Sequence, residues 1–90
     1  MEQIKRLKII NDLGLHGRSA AKIVELAGQY KSEIFFKKGD HEVDGSSILS
    51  ILTLACPKGT EIEARAVGED SEELMDKLNT LFKKKFGENK

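Results

Sequence analysis

A two-layer α+β sandwich, with helices packed on one face of a small sheet, is the fold class this sequence predicts. The order of hydrophobic periodicities carries much of that prediction, because strand-like and helix-like segments follow one another as β-α-β-β-α-β-α. The strand segments alternate apolar and polar residues, which gives the sheet one buried face and one wet face. Length supplies the rest. Ninety residues suit one compact domain, residues 1–90, where domains typically run to ~100–150. Helices and sheet must then share a single core.

Each element has a local reason. Ile4 to Ile10 places Leu7 and Ile9 two apart around Lys8, the mark of a half-buried strand, and Asn11-Asp12-Leu13-Gly14 breaks it. From Ser19 the spacing turns helical through Ala20, Ile23, Val24, Ala27 and Tyr30, with Gly28 near the end. Glu33–Lys37 reads as a strand, turning at Lys38-Gly39-Asp40 into His41-Glu42-Val43. Asp44-Gly45-Ser46-Ser47 offers a serine cap to a short helix, Ile48 to Leu54, which Pro57 and Gly59 close. Thr60 to Val67 alternates most cleanly, with Ile62, Ala64 and Ala66 against Glu61, Glu63 and Arg65. The last helix has Asp70 and Glu73 at the spacing of a capping box and Leu74, Leu78, Leu81 and Phe82 as its stripe. Lys83 to Lys85 complement the negative end of its dipole. The predicted buried sheet face is Leu7, Ile9, Ile34, Phe36, Val43, Ile62 and Ala64.

Composition narrows the function. Fifteen Lys plus Arg balance fifteen Asp plus Glu, whereas a general nucleic-acid binder shows a basic excess. No apolar run approaches the ~20 residues that span a bilayer. The opening Met1-Glu2-Gln3-Ile4-Lys5-Arg6 alternates charge and carbon, unlike a secretory signal. One cysteine, Cys56, holds neither an internal disulfide nor a metal cluster and reads as a small core filler, as His41 reads as a solvated hairpin residue. These features lead to the expectation of a small cytoplasmic domain.

One stretch looks built for chemistry. Gly14-Leu15-His16-Gly17-Arg18-Ser19 joins the first strand to the first helix. A helix N-terminus offers unpaired N–H groups and partial positive charge, an anion site. Gly17 lets a ligand approach the backbone, Arg18 adds a fork suited to phosphate oxygens, and Ser19 has a hydroxyl to donate. Histidine, titrating near ~6.5 in peptides, keeps a free ring lone pair at neutral pH. The expectation is a nucleophilic His16 beside an anion hole, with no general base, no carboxylate triad and no metal partner. Such a site accepts a phosphoryl group and passes it on.

Gly14-Leu15-His16-Gly17-Arg18-Ser19-Ala20 resembles the G-L-H-A-R-P-A signature of the HPr family, the histidine-containing phosphocarriers of the bacterial phosphoenolpyruvate:sugar phosphotransferase system. Val43 to Leu54 is similar to the family's second signature, a serine heading a short apolar helix, and Lys58-Gly59-Thr60-Glu61-Ile62 to its entry into the last strand. The resemblance covers nearly the whole chain. It implies an open-faced β-sandwich, four antiparallel strands under three helices, and a monomeric carrier rather than a free-standing enzyme. By the family pattern His16 is the phosphoryl acceptor through Nδ1, Arg18 neutralises the phosphoryl oxygens, and the backbone of Gly17, Arg18 and Ser19 holds them. The donor implied is Enzyme I and the acceptors are EIIA-type domains of sugar permeases or regulatory proteins. No cofactor is implied, the phosphoryl group coming ultimately from phosphoenolpyruvate. Ser47, with Ser46 as the alternative register, falls on the serine that an HPr kinase/phosphorylase modifies in many members. Ile48, Leu49 and Leu52 crowd one short helix, so part of that surface is expected to be exposed for partner docking. Two positions depart from the pattern: Gly17 stands where Ala or Thr is commoner, and Ser19 where the family has proline.

Two other classes compete. An ACT-like module that binds a small molecule without covalent chemistry shares a βαββαβ order, yet has no need of His16 and Arg18 at a helix start. A KH-like RNA binder has a G-x-x-G loop, which Gly14 to Gly17 spells. That loop should join two helices on a basic surface, and here it follows a strand in a neutral chain.

Overall fold

The structure, a computed structural model, describes residues 1–90. Its elements run β1 (Glu2–Lys8), α1 (Gly17–Ala27), β2 (Glu33–Lys38), β3 (His41–Asp44), α2 (Ile48–Leu52), β4 (Glu61–Val67) and α3 (Ser71–Lys83), then a 3-10 turn at Lys85–Gly87. The strands form one antiparallel sheet in the order β1-β4-β2-β3, with Leu7 opposite Ile62, Ala64 opposite Phe36 and Phe36 opposite Val43. Because β4 lies antiparallel to both β1 and β2, those two run parallel with β4 between them. Their link, through α1, therefore crosses over one face of the sheet, and α2 does the same between β3 and β4.

Alternation decides which face the helices cover. Leu7, Ile34, Phe36, Val43, Ile62, Ala64 and Ala66 point into the core, where Ala20, Ile23, Ile51, Leu74, Leu78 and Phe82 meet them. The opposite face is open: Arg65 stacks over Phe35 at 4.5 Å and bridges Glu2 and Glu42. The predicted buried face and the layer order hold. No helix is long and apolar enough to cross a membrane.

Several local expectations are corrected. β1 starts at Glu2 and stops at Lys8. Ile9 is buried beyond the strand, its N–H donating to the Thr60 carbonyl and its carbonyl accepting from Gly59. α1 starts two residues before Ser19, and Tyr30 lies past its end. α2 ends at Leu52, although Leu54 is still buried. The stripe of α3 includes Met75, and Leu81 is only partly buried. Lys83 alone of its three lysines sits in the last turn; Lys84 caps it and Lys85 opens the 3-10 turn. Asp70 forms no capping box, for its carboxylate caps nothing in α3. It accepts instead from the backbone N–H groups of Lys31 and Ser32 and from the Ser32 hydroxyl. A long-range loop donor outcompetes the local cap there, and these bonds, led by the Ser32 hydroxyl, lower the Asp70 pKa.

Candidate functional site

His16 is the N-cap of α1, its backbone extended while the next residue is already helical. Its ring Nδ1 accepts from the Arg18 N–H at 3.3 Å, and Ser19 Oγ accepts from the His16 N–H at 2.9 Å. This is a reciprocal cap with histidine at its head. Ser19 is wholly buried, and its hydroxyl has the Gly14 and His16 carbonyls as acceptors. The expectation that this hydroxyl is available to a ligand is therefore corrected. Where the family's proline fixes φ, Ser19 fixes the same turn with hydrogen bonds.

The loop before His16 is held against the exit of α2. Gly14 has φ +69°, and an added Cβ would press on the Cys56 carbonyl and come within 2.9 Å of Pro57 Cα. The Leu15 N–H donates to that same Cys56 carbonyl at 2.8 Å. Cys56 itself is buried, which pushes its thiol pKa up. Asn11, wholly buried, donates through Nδ2 to the Gly14 carbonyl at 2.9 Å. Gly17 has ordinary backbone and open space around it.

The structure gives the histidine a carboxylate neighbour that the local sequence does not announce. Glu88 Oε2 lies 2.8 Å from His16 Nε2, and its Oε1 accepts from Asn11 Nδ2 at 2.9 Å. Glu88 is the more buried partner, its side chain 14% exposed against 30% for His16. The Asn11 hydrogen bond foremost, then the His16 bond and the Arg18 charge, hold the Glu88 carboxyl below its usual pKa against the opposing effect of burial. An ionised carboxylate only accepts, so Nε2 carries the ring proton. An amide N–H only donates, so Nδ1 is bare. Two independent contacts thus give one tautomer, with the Nδ1 lone pair at the first-turn amides. Arg18 is exposed and its guanidinium has no protein partner. No group of three His, Cys, Asp or Glu side chains is placed to hold a metal ion.

Ser47 caps α2 by accepting from the Ser50 N–H at 3.2 Å. Ser46 is turned away, bonded through N–H and hydroxyl to Asp44 Oδ1. Leu49 is 78% exposed and Ile48 38%, while Leu52 is half-buried and Ile51 is core. The crowded short helix does leave apolar surface in water. His41 is exposed, with Nε2 3.3 Å from the Thr53 hydroxyl.

Fold and site together define a class: an open-faced α+β protein whose histidine caps its first helix and turns a bare ring nitrogen to that helix's amides. Comparison with known proteins names it. A family model described as the PTS HPr component phosphorylation site matches residues 4–84, and the chain belongs to the HPr family of phosphocarriers. It is 44% identical to the phosphocarrier protein HPr of Neisseria meningitidis over 91% of this chain and 92% of that one. To the HPr of Cupriavidus necator it is 39% identical, over 89% and 90%. The structure is similar to that of HPr-C-His from Thermoanaerobacter tengcongensis, with a TM-score of 0.93 at 34% identity, covering 98% of this chain and 99% of that one. Bacillus anthracis HPr gives 0.85 at 31%, over 90% and 96%.

Proposed function

We propose that His16 is the phosphoryl acceptor of this carrier, taking the group from phospho-Enzyme I and passing it to EIIA-type domains. The observation that carries the reading is the ring's orientation. Nδ1 is bare and sits at the anion-receptive end of α1, where the N–H groups of Gly17, Arg18 and Ser19 have no carbonyl within the helix to bond. When Nδ1 bonds phosphorus, its weak contact with the Arg18 N–H gives way and the amides turn to the phosphoryl oxygens. The unpaired Arg18 guanidinium supplies the remaining positive charge. Amides and one arginine, without a metal ion, stabilise the group moderately, which suits a carrier that must release it. On this reading the protein needs no resident cofactor and works in the cytoplasm.

The exposed face of Ile48 and Leu49, with the edge of Leu52, is the docking surface in this reading. Ser47 is the regulatory serine. Its hydroxyl caps α2 at the rim of that surface, and a phosphate there adds about −1.5 to −2 charge beside apolar contacts. Ser46, tied to Asp44, is the less available of the two.

Incubation with phosphoenolpyruvate and Enzyme I tests the acceptor. An acid-labile mass increase in the wild type and none in His16→Ala is the expected result. An unmodified wild type beside a competent Enzyme I contradicts it. For the serine, an HPr kinase should leave an acid-stable phosphate that Ser47→Ala abolishes; label persisting in that variant moves the site to Ser46.

A further inference from the structure

After α3 the chain doubles back. Lys85 and Phe86 both take left-handed backbone, each with φ 57°, and this turns the last residues toward the loop before His16. Phe86 anchors the strap in the core, 1% exposed and edge-on to Phe82 at 4.8 Å between ring centres. Lys22 Nζ donates to the Phe86 carbonyl at 2.6 Å, and the Asp12 N–H donates to the Lys90 carbonyl at 2.7 Å. Glu88 lies between these two ties. One of its oxygens is held by the buried Asn11 and the other meets His16 Nε2. A carboxylate anchored on both sides of its own position is a fixed acceptor, not a passing surface contact.

We propose that Glu88 is a positioning residue for phosphoryl transfer: it keeps the proton on Nε2, so that Nδ1 stays bare and aimed at the amides, and it balances the charge of the phosphorylated ring. The inference rests on the reading of His16 as acceptor. As the Nδ1 lone pair forms the nitrogen–phosphorus bond, the donor's bond to phosphorus breaks and its electron pair stays with the donor. The ring retains its Nε2 proton and becomes a phosphoimidazolium, so no proton has to leave. The hydrogen bond to Glu88 is then between full charges, the stronger kind. In onward transfer the nitrogen–phosphorus bond breaks, its electrons return to Nδ1, and the same neutral tautomer is recovered. Carboxylates behind histidines that ligate metals or act as bases set tautomer and orientation by the same means.

Two measurements on the full chain test this. Long-range proton–nitrogen spectra of the ring should place the proton of neutral wild-type His16 on Nε2. In Glu88→Gln, which keeps the shape and removes the charge, the Nδ1–H tautomer should become populated. Phosphoryl uptake from phospho-Enzyme I by this variant should slow by about tenfold or more, the size of a lost charge-assisted bond. A wild-type ring protonated on Nδ1 overturns the proposal, and so does uptake by Glu88→Gln within about twofold of wild type. Failure of the acceptor reading looks different, since wild type would then take no acid-labile label at all.

Discussion

Alanine placed at either of two glycines three residues apart, Gly14 and Gly17, should move stability in opposite directions. At Gly14 the backbone is left-handed, φ +69°, and an added Cβ would drive into the Cys56 carbonyl and to 2.9 Å from Pro57 Cα. The left-handed conformation costs about 1–2 kcal/mol for a residue with a Cβ. Relieving the collision moves backbone against backbone, a further ~1–3 kcal/mol by analogy with overpacking. That movement also strains the Leu15-to-Cys56 hydrogen bond and displaces the Gly14 carbonyl from Asn11 and Ser19. The total, ~2–5 kcal/mol, is a large share of the ~5–15 kcal/mol that holds a domain together. At Gly17 nothing lies within 4 Å of an added Cβ. Alanine there gains up to ~0.5–1 kcal/mol of helix propensity, less in the first turn. Thermal unfolding reads both changes, since 1 kcal/mol moves a domain of this size by ~4–8 °C. Gly14→Ala should melt at least ~8 °C below wild type and Gly17→Ala at or a few degrees above it. A Gly14→Ala protein as stable as wild type, or a Gly17→Ala protein clearly less stable, would refute the account of this loop.

Asp70 has a lowered folded pKa, first through the Ser32 hydroxyl. Its contribution is therefore present above the ordinary carboxylate pKa and is lost as pH falls through the folded value. Acid titrations of stability should show a shallower loss in Asp70→Asn than in wild type; identical acid limbs would count against the Lys31–Ser32 clamp. Phe86→Ala removes a wholly buried ring packed on Phe82 and should cost about 3–5 kcal/mol in denaturant unfolding. A cost below ~1 kcal/mol would mean that the strap is not anchored there. Leu49→Ser alters a side chain 78% exposed, so stability should stay within ~0.5 kcal/mol. Uptake from Enzyme I should instead need more donor, and an unchanged concentration dependence would remove Leu49 from the docking surface.

What was legible in the sequence is what depends on neighbours along the chain. The alternation of Ile62, Ala64 and Ala66 and the helical spacing of Ala20, Ile23 and Ala27 report burial on one face of a local element. They predicted both layers, and the crowding of Ile48, Leu49 and Leu52 on one short helix predicted the exposed side of α2. The placement of His16, Gly17 and Arg18 at the start of α1 was legible for the same reason, since a strand-to-helix junction is local. Glu88 was not, because it meets His16 across 72 positions and no periodicity links a tail carboxylate to a cap. Phe86 left a faint signal, a lone aromatic in a Lys-rich end. Asn11 read as a turn residue, with nothing to mark it as the buried amide that aims Glu88. The Asp70–Glu73 spacing suggested a box, but Lys31 and Ser32, brought close only by folding, took the carboxylate. Capping rules describe an isolated helix, and at His16 and Asp70 alike a distant partner shapes the cap.

Nitrogen–phosphorus coupling in the 15N-labelled, phosphorylated protein reads directly which ring nitrogen of His16 carries the phosphoryl group. One phosphate, coupled to Nδ1 of His16, with the ring proton still on Nε2, is the expected result. Phosphorus coupled to Nε2, or attached to any residue other than His16, would contradict it.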